Sequence, residues 1–174
     1  IAMAMLILGL VLVRNIFSGA TESVDTINDK VKAEITNIFS EEGQKVAVRL
    51  GADRTAVITA GDGNYNIGFG AQKEGNLEKR SDLKYSLNLG DLSSAPAESC
   101  IKKAGVAEVS SWFTSVQMNG GQATGIDFDE FDGSNAFAII SINVPDGASP
   151  CSQKVTIDVK DTTDSNTVSG CRFF

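Results

Sequence analysis

Few residues of this chain could carry out catalytic chemistry, because the sequence contains no histidine. Histidine is the commonest general base and the commonest metal-ligating side chain, so its absence excludes serine–histidine–aspartate and cysteine–histidine arrangements. Two glycine-containing segments, 61–63 and 68–70, lack the spacing and the following helix of a phosphate-binding loop. The sequence therefore predicts a protein that is not an enzyme and that uses no cofactor.

One acidic run, 127–133, has the carboxylate-rich composition of a calcium loop. Phe131 occupies the place where a third oxygen ligand should lie in such a loop. We therefore interpret the run as an acidic surface loop that Phe128 and Phe131 anchor, with calcium binding as the alternative. No metal site is predicted.

Three cysteines, Cys100, Cys151 and Cys171, lack the short paired spacing of zinc ligands. In an extracellular protein, three such residues are expected to form one disulfide and leave one thiol. Cys100–Cys151 is the first choice, because we expect both residues at strand edges beside proline-containing turns. Cys151–Cys171 is the alternative.

The net charge of −7 argues against a nucleic-acid partner. Binding to phosphates requires clustered lysine and arginine side chains. The basic pairs 79–80 and 102–103 are too small to form such a patch.

The most distinctive element is the N-terminal stretch, 1–39. Residues 1–13 carry no charge and no hydrogen-bonding side chain. Further along, apolar residues recur at steps of three and four, which places them on one face of a helix. These positions are Val24, Ile27, Val31, Ile35 and Ile38. The pattern predicts one long helix that is apolar on all sides at its start and amphipathic later.

Such an N-terminus has to be buried by lipid, by neighbouring copies, or by each in turn. The chain begins with Ile1, from which we expect that an upstream segment was removed and that the apolar run was retained. Residues 1–17 approach the length of a membrane span if Arg14 extends towards the interface. A simple membrane anchor is the alternative interpretation.

From residue 41 onward the sequence changes to short β-type segments separated by turns. The predicted strands lie at 46–50, 55–59, 65–69, 83–89, 137–144, 154–159 and 167–174, and 106–116 is either a strand or a helical turn. Seven or eight short strands favour an antiparallel β-sandwich. The predicted division is a helix at 1–42 and a β-domain at 43–174.

This organisation resembles the type IV pilin superfamily, and within it the archaeal pilins and archaellins. The resemblance is carried by the run IAMAMLILGLVLVRNIF at 1–17, the amphipathic segment 24–39 and the run YNIGFG at 65–70. Bacterial members carry a glutamate near the start of the mature helix, whereas the first acidic residue here is Glu22. The resemblance implies an α+β fold, a long N-terminal hydrophobic helix followed by an immunoglobulin-like head.

The resemblance also implies a function as the structural subunit of an extracellular filament used in adhesion or motility. The expected partners are the membrane before assembly, the pilus assembly machinery, and further copies of the same chain. The residues expected to pack in the filament core are Met3, Met5, Leu6, Leu8, Gly9, Leu10, Leu12, Val13, Ile16, Phe17, Val24, Ile27, Val31 and Ile35. The alternative function is a membrane-anchored adhesin or ligand-binding β-domain that does not polymerise.

Overall fold

A computed structural model describes residues 29–42, 45–50, 55–73, 75, 77–163 and 167–173. Three α-helices and eight strands form in this part of the chain. They are α1 (Asp29–Glu42), β1 (Val46–Val48), β2 (Asn64–Gln72), β3 (Leu83–Asn88), α2 (Cys100–Lys103), α3 (Val106–Ser111), β4 (Gln122–Asp127), β5 (Glu130–Asp132), β6 (Asn135–Asn143), β7 (Val155–Asp161) and β8 (Thr167–Phe173). A short 3₁₀ turn, Arg80–Asp82, leads into β3.

The predicted fold class, a long N-terminal hydrophobic helix followed by an immunoglobulin-like head, is wrong. The described residues form a small β-rich domain of two antiparallel sheets with three short helices. The longest of these helices, α1, has 14 residues and is amphipathic. Periodic spacing supports a helix only where apolar residues recur at steps of three and four among polar ones, and a run that is apolar throughout carries no such signal. Residues 1–28, where most of the predicted helix falls, lie outside the described residues.

Among the helices that the structure describes, none combines the length and the apolar character needed to cross a bilayer.

The strands form two four-stranded sheets. The first sheet has the order β1-β2-β6-β5, and the second has the order β4-β3-β7-β8. Every pairing in both sheets is antiparallel. The chain passes from one sheet to the other three times, between β2 and β3, between β4 and β5, and between β6 and β7. Residues of both sheets share one core.

The main core lies between the two sheets. Leu83, Tyr85 and Leu87 alternate inward along β3, as the period of two in a strand requires. Tyr85 meets Phe69 of the first sheet with ring centroids 4.9 Å apart, and the ring of Phe128 lies 5.5 Å from Phe69 and 5.2 Å from Tyr85. Each such aromatic pair adds about 0.5–1.5 kcal/mol beyond the area that it buries. This three-ring cluster joins the sheets near their centre.

A second, smaller core lies on the outer face of the first sheet, where α1 covers it. Val31, Ile35 and Phe39 follow one another at steps of four residues and are all buried. They pack with Ala47 of β1 and Phe137 of β6. The amphipathic pattern of the sequence thus serves to cover a sheet within the same chain.

Candidate functional site

The contact between α1 and the first sheet depends on two glycines of β2. A Cβ atom at Gly68 would lie 2.9 Å from Cγ1 of Val31. A Cβ atom at Gly70 would lie 2.7 Å from Cγ2 of Ile35 and 3.1 Å from the carbonyl oxygen of Ala136. Real Cβ atoms are not found at the shorter of these distances, so any other residue would push α1 away from the sheet. We call this contact the glycine seam.

Ion pairs fix the two sides of α1. Lys32 pairs with Glu130 of β5, and Glu34 Oε2 lies 2.5 Å from Nε of Arg49, which follows β1. The hydrogen bond to Glu130 is the main cause of the raised pKa of Lys32. Because these side chains are partly exposed, each pair contributes little stability, at most about 1 kcal/mol. The ion pairs orient α1, and the apolar contacts at the glycine seam supply most of the stabilisation of the helix on the sheet.

Two of the residues predicted for a filament core are described. Val31 and Ile35 are buried against the sheet of their own chain. The other predicted core residues lie outside the described residues: Met3, Met5, Leu6, Leu8, Gly9, Leu10, Leu12, Val13, Ile16, Phe17, Val24 and Ile27. Their packing in a filament stays a prediction.

The predicted disulfide between Cys100 and Cys151 is confirmed, with Sγ atoms 2.06 Å apart. Cys100 begins the short helix α2 instead of lying at a strand edge as expected. The backbone aligns the two cysteines, because Ser99 and Ser152 form a parallel bridge. Within that bridge the amide of Cys100 donates to the carbonyl of Ser152 at 3.1 Å. The alternative pairing, Cys151–Cys171, is thereby excluded.

A cavity of about 540 Å³ lies beside this disulfide, at one end of the space between the sheets. Residues from both sheets and from the helical segment line it, including Ile67, Val109, Trp112, Ile142 and Val155. Segment 55–60, which belongs to neither sheet, and the loop 148–153 complete the walls. The lining residues among those described include no charged side chain. The cavity is therefore suited to a neutral apolar molecule.

Trp112 is one of the residues that line this cavity. The residue is 5% exposed, and its indole Nε1 has no hydrogen-bond acceptor among the described residues. Two backbone hydrogen bonds fix the position of the residue. The amide of Asn143 donates to the carbonyl oxygen of Trp112 at 2.7 Å, and the amide of Thr114 donates to the carbonyl oxygen of Ser141 at 2.9 Å. A buried donor without an acceptor loses its hydration without replacement, which costs about 1–3 kcal/mol.

The sequence reasoning did not find this cavity. Trp112 and Phe113 lie in segment 106–116, which was predicted only as a strand or a helical turn. The walls come from positions as far apart as Ala56 and Val155, and no local pattern relates them. The usable signal was the single tryptophan of the chain next to a phenylalanine.

The acidic run 127–133 forms the end of β4, the strand β5 and the turn into β6. Lys84 Nζ donates to Asp127 at 2.8 Å, and Asp129 accepts from the amide of Ile139 at 2.9 Å. The described residues hold no cluster of three or more acidic or thiol side chains that could bind a metal ion. Phe128 is buried, as an anchor should be, whereas the same expectation for Phe131 is wrong because it is 40% exposed.

A polar hollow of about 290 Å³ lies next to this run, and Asn64, Tyr85 and Asp129 contribute to it. Burial raises the pKa of Tyr85 above its ordinary value, and the nearby carboxylate of Asp129 raises it further. Tyr85 therefore stays protonated at neutral pH and is not a base.

Comparison with known proteins identifies no relative: no protein-family model, no curated protein and no solved structure matches the chain.

Proposed function

We propose that this protein is a structural subunit of an extracellular filament of the type IV pilus kind. The apolar N-terminal segment, 1–17, supplies the contacts between subunits, and the β-domain lies at the filament surface, where it serves adhesion or motility. The membrane holds the subunit before assembly, and a pilus assembly machinery transfers it into the homopolymer.

The observation that carries this proposal is the glycine seam. Because Gly68 and Gly70 admit Val31 and Ile35 against the sheet, α1 is docked on the β-domain rather than joined to it by a loose linker. In the sequence, α1 follows directly on the stretch that begins with the apolar run. Because α1 packs against the sheet, the β-domain has a fixed orientation relative to this helix, through which the N-terminal segment connects to it. Regular surface packing of subunits needs such an orientation.

The apolar run gives a physical reason for assembly. Residues 1–13 have no polar side to expose to water, so lipid or other copies must cover them. The exchange of lipid for protein gains little from the hydrophobic effect, and close packing decides whether it is favourable. A filament core should therefore be sensitive to the shape of these side chains.

The second candidate function is a membrane-anchored adhesin or ligand-binding domain that does not polymerise. The cavity beside the disulfide is the observation that favours it, because its volume is that of a small-molecule site.

Substitutions in the apolar run distinguish the two functions. We expect Leu8→Ala and Gly9→Leu to leave the subunit in the membrane but to reduce filaments sheared from cells. A Leu→Ala change in a close-packed core costs about 2–5 kcal/mol, and every copy in the filament would carry that defect. Leu8→Met, which nearly conserves volume, is the matched control and should assemble.

The measurement is the amount of subunit in the sheared filament fraction relative to the membrane fraction. Normal assembly of both variants, or no filaments from the wild type, would favour the anchored domain.

A further inference from the structure

We propose that the side chains of Lys73 and Asp161 join in an intramolecular isopeptide bond, an amide between Nζ of the lysine and Cγ of the aspartate. The hydroxyl of Thr163 relays the proton that this reaction has to move. The bond is a modification of the β-domain and does not depend on whether the chain polymerises.

The two side chains meet although they come from different sheets. Lys73 directly follows β2 of the first sheet, and Asp161 is the last residue of β7 in the second sheet. Nζ of Lys73 lies 3.4 Å from Oδ2 of Asp161, and the two side chains are only 16% and 10% exposed. The disulfide precedes β7 whereas Asp161 ends it, so the two ties lie at opposite ends of this strand.

Backbone contacts fix both partners before any reaction. The amide of Lys73 donates to the carbonyl oxygen of Ser134 at 2.9 Å. Asp161 pairs with Leu83 in the ladder between β3 and β7. An amine and a carboxylate that are free in water do not condense readily. Groups that a fold holds in contact react as if their concentration were about 10⁵–10⁸ M, which favours the amide.

Thr163 connects the two reacting groups. Its amide and its hydroxyl donate to Oδ1 of Asp161 at 2.8 Å and 2.6 Å. The ammonium group of Lys73 donates to Oγ1 of the same threonine. The hydroxyl therefore accepts from the amine and donates to the carboxylate, which is the arrangement that a proton relay requires.

The reaction needs no other reactant. A proton passes from the Lys73 ammonium to Oγ1 of Thr163 while the hydroxyl proton passes to Oδ1 of Asp161, which leaves a neutral amine and a carboxylic acid. The amine attacks Cγ, the bond between Cγ and Oδ1 breaks, and a proton from the nitrogen leaves with that oxygen as water. One ammonium and one carboxylate thus become one amide and one water. Thr163 is exposed, so the water can leave on its side.

The product also removes an electrostatic cost. Two ions that are mostly withdrawn from water lose hydration that their mutual attraction only partly replaces. The amide carries no charge, so it is better suited to this position than the ion pair.

Asp82 is a second carboxylate near Lys73. The backbone amides of Glu78 and Lys79 donate to its Oδ2 at 2.8 Å and 3.1 Å. These hydrogen bonds lower the pKa of Asp82, and the nearby charge of Lys73 lowers it further. A carboxylate that is stabilised in its ionised form is a poor target for an amine, so Asp161 is the group that is attacked.

Mass spectrometry of the full chain tests the proposal. After reduction of the disulfide, we expect the wild type to be lighter than its sequence by the mass of one water. Proteolysis should release a branched peptide in which Lys73 is linked to Asp161, and fragmentation locates the link. The branched peptide distinguishes the isopeptide bond from a cyclic imide at Asp161, which has the same mass loss.

Variants assign the roles. Lys73→Arg keeps the positive charge but has no reactive amine, so the mass loss should disappear. Thr163→Val keeps the shape but removes the relay, and the bridged fraction of freshly folded protein should fall about tenfold or more, because positioned proton transfer contributes about 10²–10⁴ in rate. Thr163→Ser restores the hydroxyl and should restore the bond.

Lys84→Arg is the matched control. Nζ of Lys84 lies 2.8 Å from Oδ1 of Asp127, closer than in the proposed pair, but these side chains are 34% and 56% exposed. The mass loss should persist in this variant, because proximity to a carboxylate is not sufficient for the reaction.

Three results would overturn the proposal. An unmodified mass of the folded wild type would show that Lys73 and Asp161 form only an ion pair. A mass loss that persists in Lys73→Arg would assign the dehydration to another site. Equal bridging in Thr163→Val would exclude the relay. Should Lys73→Arg lose its β-type circular dichroism, the presence or absence of the branched peptide in the wild type decides the outcome.

Discussion

At Gly70 a hydrogen atom sets how closely α1 approaches the first sheet. A methyl group there would meet Ile35 at 2.7 Å and the carbonyl oxygen of Ala136 at 3.1 Å. The backbone cannot yield as a side chain can, so we expect Gly70→Ala to lower the free energy of unfolding by about 1–3 kcal/mol. Urea unfolding followed by Trp112 fluorescence measures the change.

A double-mutant cycle with Ile35→Ala is the control for this prediction. If the two side chains collide, Gly70→Ala should cost less in the Ile35→Ala background than in the wild type. Additive effects would show that the glycine matters for strand geometry and not for the helix contact.

The raised pKa of Tyr85 leads us to expect a loss of stability at alkaline pH. Burial raises the pKa of its hydroxyl above the ordinary value of about 10. The folded state therefore favours the neutral side chain. Its contribution is complete below the unfolded pKa and is lost as the pH rises above about 10 towards the folded value.

We expect Tyr85→Phe to flatten the decline of unfolding free energy between about pH 9 and pH 11, because phenylalanine has no proton to lose. Denaturant titrations of the variant and the wild type across this range measure the effect. An equal decline in both proteins would assign it to other groups.

The helix α1 is an element on which the β-domain depends. It covers Ala47, Phe137 and Ile139 on the outer face of the first sheet. We expect a chain that starts at residue 29 to be folded and monomeric, and one that starts at residue 45 to expose this face. Exposed apolar patches promote association, so the shorter chain should bind more hydrophobic dye and sediment as oligomers. A monomeric shorter chain of unchanged stability would show that α1 is dispensable for the domain.

The disulfide links the first residue of α2 to the loop that precedes β7. It closes a sequence separation of 51 residues. In the chain-entropy account, such a loop contributes roughly 4 kcal/mol to stability. We expect Cys100→Ser with Cys151→Ser to lose most of that amount in urea unfolding and to become insensitive to reductant.

Cys171→Ser is the matched control, because it keeps the bridge and should keep the sensitivity to reductant. Non-reducing peptide mapping should recover Cys100 and Cys151 in one linked pair. A free thiol at both positions would contradict the structure.

Strands with alternating or strongly apolar sequences could be located from the sequence, and others could not. The segments around Tyr85, Ile140 and Ile157 form β3, β6 and β7 near their predicted bounds. The strands β4 and β5 were not predicted because each contains few apolar residues. The acidic residues of β5 also made this segment resemble a surface loop. Segment 55–59 has β-type composition, yet it joins no ladder. The composition of a segment shows only that its residues are common in strands. Whether the segment joins a sheet depends on an available edge strand next to it.

Of the disulfide, the glycine seam and the cavity, only the disulfide could be predicted, because it involves two residues of a rare type. The Cys100–Cys151 pair was the first choice because both cysteines were expected at strand edges beside proline-containing turns, and Cys151–Cys171 was left as the alternative. The glycine seam needs the register between α1 and β2, and the cavity needs walls from both sheets and two loops. Such sites depend on contacts between residues distant in sequence, which a single sequence does not display.

At the scale of the whole molecule, the net charge of −7 bears on the proposed filament. Subunits of like charge repel one another when they pack regularly, and salt screens this repulsion. We expect the sedimentable filament fraction to rise as ionic strength increases from roughly 0.01 M to 1 M, while the screening length falls from about 30 Å to about 3 Å.

The rise should level off once the screening length is shorter than the spacing of surface charges. A filament fraction that falls with salt would show that ion pairs between subunits hold the filament together. An equal concentration of an uncharged osmolyte controls for effects other than screening.

The order of the strands has a consequence for how fast the protein folds. Gln72 pairs with Asn135 across β2 and β6, and Asn88 pairs with Thr156 across β3 and β7, so most pairing joins distant parts of the chain. Chains with such long-range contacts fold slowly, because long loops must close before any pairing stabilises them. The Cys100–Cys151 bridge joins the segment between β3 and β4 to the loop that precedes β7, and it shortens the second of these searches.

A chain oxidised early thus begins folding with β3 and β7 already near each other. A chain that remains reduced spends longer with unpaired strand edges, and its losses to aggregation are governed by folding rate rather than by final stability. The supply of oxidant during folding would then set the yield of folded protein.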